Sequence, residues 1–169
     1  MIVGKLNSFY IVNKIKEHLY MKNHLLNFIS KLPSNKFETI SHTDWNLPKN
    51  INGEYFKFFI ETITPYMNQI MEKIHCSNWQ IHDYWFQQYN EGDEHKWHIH
   101  GNANYTNVYF LEMPSSSMTT EIYDIIDKKT INLNLNEFSK IVLASKLPCT
   151  KLNCLIESFF KLYIFIISR

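Results

Sequence analysis

Residues 79–114 read WQIHDYWFQQYNEGDEHKWHIHGNANYTNVYFLEMP, and their texture decides how the chain is put together. Trp79 to Tyr89 and Tyr105 to Glu112 are aromatic and β-branched runs of strand length, joined by a polar segment. Two strands are expected there. Of the eight histidines in the chain, His95, His98 and His100 fall in the joining segment. Either they are metal ligands or they are polar decoration of a strand.

Upstream the periodicity is helical. Ile15, Leu19, Leu25, Leu26, Ile29 and Leu32 predict an amphipathic helix over Asn13 to Leu32, stopped by Pro33-Ser34. Residues 33–53 are polar, carry Pro33, Pro48 and the turn pair Asn52-Gly53, and read as connection with a short strand at Phe37 to Ile40. Tyr55, Phe59, Ile63, Met67, Ile70, Met71 and Ile74 predict a second helix, with Pro65 inside it as a kink or restart. Such a stripe is core rather than a cofactor box.

Downstream, after the loop SSSMTTE, short strands are predicted at Glu121 to Ile126, Thr130 to Leu135, Ile141 to Ala144 and Leu162 to Ile167. Helices followed by strands argue for an α+β fold with a sandwich or barrel of strands rather than a parallel α/β sheet. At 169 residues, 45% of them apolar, the chain is read as a single domain, 1–169. Its helical part is placed at about 1–75 and its β core at about 78–169, with the order after 136 in question.

A formal net charge of +1 shows neither a nucleic-acid footprint nor an acidic tail. The start MIVGKLNSFYIVNKIKEHLY has no signal-peptide pattern, so a cytoplasmic location is expected. LIESFFKLYIFIISR, residues 155–169, is interrupted by Glu157 and Lys161 and is too short for a membrane span, so it reads as a buried element. Cys76, Cys149 and Cys154 lack paired spacing and suit buried thiols in a reducing compartment.

His98 and His100 are two apart, so on an extended strand both side chains leave one face and can reach one ion, while His95 would leave the other face. Imidazole suits iron, zinc, copper and nickel alike, and a bare His-x-His is as well read as surface or hydrogen-bonded histidines. His18, His24, His42, His75 and His82 show no metal spacing and read as surface or locally hydrogen-bonded.

Tyr89, Gly92, His98 and His100 stand in the order Y-x-x-G-x-x-x-x-x-H-x-H, followed by the apolar strand YTNVYFLEMP. From Thr43-Asp44-Trp45 through Trp85-Phe86-Gln87-Gln88-Tyr89 to Pro114 the chain resembles the iron(II)- and 2-oxoglutarate-dependent oxygenases of the prolyl-hydroxylase-like class, in their bacteriophage and marine bacterial versions. The resemblance implies a double-stranded β-helix of the jelly-roll or cupin-like kind with helices outside, and two cofactors, Fe(II) and 2-oxoglutarate. It implies that His98 is the first metal ligand, that His100 stands in the usual carboxylate position, and that Tyr89 lines the cosubstrate pocket. The substrate of such an enzyme would be a small molecule or a peptide.

Two departures matter. A neutral imidazole at His100 leaves the site one negative charge short, which Asp93 or Glu94 could supply if the loop folds back. No histidine follows His100, and Arg169 is the only arginine, so the distal ligand and the cosubstrate anchor of the class have no counterpart. Lys140, Lys146 and Lys151 are weak candidates for that anchor. Two explanations compete, a degenerate relative that has lost the metal site and a changed reading frame or truncation near residue 136; the second is the expectation, because the motif segment is intact and the text after it is unlike the class. Besides the oxygenase, a metal-free β-sandwich binding protein and a three-histidine cupin-like enzyme are the competing expectations.

Overall fold

The structure is a computed structural model that describes residues 2–5, 9–50, 53–90, 93, 95–98, 104–112, 120–124, 128–133, 140–145 and 158–167. Among the described residues two helices, α1 (His18–Ile29) and α2 (Gly53–Lys73), accompany ten strands. Four strands come early: β1 (Ile2–Lys5), β2 (Phe9–Lys14), β3 (Asn35–Phe37) and β4 (Ile40–Thr43). Six follow: β5 (Trp79–Tyr89), β6 (Tyr105–Glu112), β7 (Thr120–Asp124), β8 (Lys129–Leu133), β9 (Lys140–Ser145) and β10 (Ser158–Ile167).

Eight strands form one sheet in the order β1-β2-β9-β6-β10-β5-β4-β3, and β7 and β8 pair as a separate antiparallel ribbon. The α+β class expected from the sequence holds. Among the described residues the large sheet is not closed into a barrel, since its order ends at β1 and β3. It is also mixed: β10 lies between β5 and β6 and runs parallel to both, while the other pairings are antiparallel. The near-continuous apolar run of SFFKLYIFII suits a strand with neighbours on both sides.

The division into a helical part at 1–75 and a β core at 78–169 does not describe the chain. Strands β1 to β4 all lie within the first 75 residues and supply both ends of the sheet. Asn13 and Lys14, expected at the start of the first helix, are committed to the ladder between β2 and β9, opposite Ile141 and Lys140. The helix therefore begins later, at His18. Its buried stripe is Met21, Leu25 and Ile29, whereas Leu19, expected inward, is 70% exposed.

Helix α2 matches expectation and runs through Pro65 without a restart. Pro65 has no N–H to give the Glu61 carbonyl, and nearby the Thr62 and Thr64 hydroxyls donate to the Phe58 and Ile60 carbonyls at 3.0 and 2.6 Å. The helix ends in a Schellman-type turn. Cys76 N–H donates to Met71 O at 2.9 Å, His75 N–H donates to Glu72 O at 3.1 Å, and His75 takes φ 56°.

Both helices cover one face of the sheet. Tyr55, Phe59, Ile63, Met67, Ile70 and Met71 of α2 form one cluster with Met21, Leu25 and Ile29 of α1 and with Ile11, Phe86, Tyr105, Tyr109 and Leu111 of the strands. Each such side chain contributes roughly 1.5–3 kcal/mol of transfer free energy. Strand alternation then sends Trp85, Gln87, Tyr89 and Phe110, also buried, to the opposite face. Cys76 is buried, as read from the sequence, with Sγ 3.1 Å from Asn78 O. Cys149 and Cys154 lie outside the described residues. No helix among those residues is long and apolar enough to cross a membrane.

Candidate functional site

The candidate site begins where β5 ends. A short ladder aligns His42 with Gln88 and Thr43 with Gln87, so β4 borders the last residues of β5. Beyond β4, the chain is held by side chains. Thr43 Oγ1 donates to Phe86 O at 2.8 Å and accepts from Trp45 N–H at 3.2 Å. Asp44, fully enclosed, takes Phe86 N–H on one carboxyl oxygen at 2.8 Å and the Tyr55 hydroxyl on the other at 2.6 Å. The end of β5 is thereby tied to β4 and α2.

Tyr89, the last residue of β5, is buried on the face away from the helices, and its hydroxyl donates to Gln87 Oε1 at 3.0 Å. Burial first, and then the nearby Asp93 charge, pushes its phenol far above the usual range. Tyr89 thus remains a neutral donor rather than a phenolate. Sequence reasoning found Tyr89 but not Gln87, whose only signal was its position two residues earlier on the same face.

Asp93 closes the turn that follows. Its Oδ2 accepts from Ser41 Oγ at 2.5 Å and from Asn90 N–H at 2.8 Å, and its own N–H donates to Asn90 O at 3.1 Å. The Ser41 hydroxyl, then the Asn90 N–H, hold its carboxyl below the ordinary carboxylate value. The fold-back weighed for Asp93 thus ties its Oδ2 to β4 and to the residue after β5. Glu94 lies outside the described residues.

Residues 95–98 do not form a strand, so the alternation expected to separate His95 from His98 does not operate. The two rings stack instead, with centroids 4.1 Å apart and planes 25° apart, and His95 also sits 6.5 Å from the Tyr89 ring. Burial, and then the neighbouring His98, push His95 down to about 4. His98 itself is exposed, and its Nδ1–H donates to Lys96 O at 2.8 Å.

That bond bears on a metal. Ligating histidines commonly give one ring nitrogen to a carbonyl and turn the other to the ion, which assigns Nε2 of His98 to that role. His95 does not fit as its partner, because lone pairs in two nearly parallel stacked planes do not converge on one point. His100 and Gly92 fall outside the described residues, as do Lys146, Lys151 and Arg169. Among the described residues no group of three or more His, Cys, Asp or Glu could hold a metal. They offer a three-ligand iron site one imidazole and no carboxylate, so they do not by themselves fit such a centre.

Of the remaining histidines, His24, His42, His75 and His82 behave as read, whereas His18, expected at the surface or locally bonded, is part-buried and bonded to a strand 91 residues away. His18 Nδ1 meets the Tyr109 hydroxyl at 2.7 Å, His24 Nδ1 meets Tyr20 O at 2.9 Å, and His42 Nδ1 meets Ser34 Oγ at 3.2 Å. His75 and His82 are exposed. Compared with protein-family models, curated proteins and solved structures, the chain matches none.

Proposed function

We propose that this chain descends from iron(II)- and 2-oxoglutarate-dependent hydroxylases and carries the first half of their metal site, His98 and His100, with Tyr89 beside the cosubstrate pocket. The finer fold that goes with this reading is a double-stranded β-helix in which the face bearing Trp85, Gln87 and Tyr89 looks inward. The carrying observation is the register of Tyr89, Gly92, His98 and His100 between two neighbouring β-rich segments, β5 and β6. The carbonyl-anchored Nδ1 of His98 adds support. In hydroxylases of this class bound iron would activate dioxygen, one oxygen atom going to succinate as 2-oxoglutarate loses carbon dioxide and the other to the hydroxylated C–H bond of a small molecule or peptide.

The test is anaerobic addition of Fe(II) with 2-oxoglutarate. A weak visible charge-transfer band and a rise in melting temperature are expected, both absent in His98→Ala. If the parent chain shows neither, the metal reading fails. A second reading, a metal-free β-sandwich binding protein of the same descent, is favoured by the absence of histidine in residues 101–169. Succinate formation above background would sink that alternative.

A further inference from the structure

We infer that β1 is a docking edge for a second copy of this chain, the two β1 strands pairing antiparallel about a two-fold axis so that the sheet continues from one molecule into the other. Among the described residues the large sheet has two margins, β1 and β3. They are unlike. At β3, Asn35 and Lys36 are exposed, the register shifts between Asn35 and Phe37, and the chain turns at Glu38 with φ 49°. Charge and irregularity of this kind keep an edge from recruiting another strand. In β1, by contrast, Ile2-Val3-Gly4-Lys5 pairs with β2 rung by rung, from Ile2 opposite Val12 to Lys5 opposite Phe9, without a shift, and its one charge stands at its last residue. The apolar layers do not thin out before that edge. Strand β2 beside it is buried on both faces, Ile11 at 1% and Val12 at 7% exposure, opposite Val3 and Ile2. Gly4 makes no bulge in this unshifted ladder, and a strand glycine admits the close approach of another backbone.

The occupant follows from the sequence of the strand itself. In the register that sets Ile2 against Lys5 and Val3 against Gly4 of the second copy, every rung is repeated by symmetry and the two Lys5 residues go to opposite ends, so like charges do not meet. A formal net charge of +1 puts no electrostatic barrier between copies. With 4 residues a side the contact is small, and the association is accordingly weak and concentration-dependent.

The test is sedimentation velocity on the full chain over a range of concentrations, with Ile2→Lys, Ile2→Glu, Val3→Pro and Gly4→Pro beside the parent. The parent dimerises with a dissociation constant between about 1 μM and about 1 mM. Ile2→Lys sets a cation directly opposite Lys5 of the other copy, twice by symmetry, and raises that constant roughly 2- to 30-fold, whereas Ile2→Glu sets an anion there and lowers it by a similar factor. Consecutive amides of a strand leave opposite edges. One proline variant therefore removes an outward donor, abolishing the dimer at the parent's melting temperature, and the other disturbs β1 against β2 and lowers that temperature. A parent that stays monomeric up to about 1 mM overturns the inference. So does a dimer retained by both proline variants, or one whose constant is the same in Ile2→Lys and Ile2→Glu.

Discussion

Tyr55, in the first turn of α2, and Asp44, just past β4, are both about 1% exposed and are joined by a 2.6 Å hydrogen bond in which the phenol donates. The second carboxyl oxygen of Asp44 holds Phe86 N–H at 2.8 Å, so one side chain joins helix, turn and sheet. Burial first, and then Asp44, push the Tyr55 phenol well above its usual range, which keeps it a donor at any ordinary pH.

Asp44→Ala strands two buried donors at once. A loss of about 2–5 kcal/mol in urea unfolding is expected. Tyr55→Phe removes only one bond and should lose about 1–2 kcal/mol. The double variant should fall short of the sum. Additive losses would show that the two side chains do not act together.

Asn107 lies in the helix-facing core at 0% exposure, with Nδ2 on Met67 Sδ at 2.9 Å and Oδ1 without a partner among the described residues. A buried carbonyl oxygen that meets no donor is a liability, and a sulfur acceptor is a weak return for the amide. Asn107→Leu, close in volume, should therefore stabilise the chain by about 1 kcal/mol in denaturant unfolding. A clear loss of stability would reveal a polar partner that this geometry lacks.

His75 ends α2 at φ 56°, a conformation that glycine adopts at no steric cost. His75→Gly should preserve the turn made by the Cys76 and His75 amides and raise stability by about 0.5–1 kcal/mol, while His75→Val should lower it by more than that. Thermal unfolding of the pair reads the difference in sign.

His18 is half-buried against Tyr109, and burial, then the Lys22 charge, hold its imidazole below the ordinary 6.5. Above that value both folded and unfolded chains carry it neutral, so it contributes no pH dependence. As pH falls through 6.5 the unfolded chain takes up the proton first, and the folded state loses stability until the pH drops below the folded pKa. His18→Gln should remove this contribution. The stability of the parent relative to the variant should stay level above 6.5 and decline as the pH is lowered below it. A flat difference below 6.5 would show that His18 is not held neutral.

Trp79–Tyr89 and Tyr105–Glu112 were legible to the residue, because aromatic and β-branched runs bounded by polar segments leave little room for another reading. Helix α2 was legible from its stripe. Strands β1 and β2 were not, since Ile11 and Ile15 suit a helix start as well as a strand, and the pairing that joins Phe9–Lys14 to the rest of the sheet is with β9, more than a hundred residues away. The site follows the same division. His98 could be singled out from spacing, while the link between Ser41 and Asp93 crosses 52 residues of sequence and leaves no local pattern. The alternation that would separate His95 from His98 presupposes a regular strand, and residues 95–98 form none.

The place of β10 between β5 and β6 gives the fold a temporal order. During synthesis β5 and β6 leave the ribosome with their facing edges unpaired, and the strand that joins them follows only after the segment from Glu112 to Ser158 has been made. At roughly 5–20 residues per second that interval lasts seconds, long compared with the microseconds in which helices form. The nascent chain must carry two open aromatic strand edges through that wait, so its vulnerability to mispairing is set by the arrival of its latest described strand.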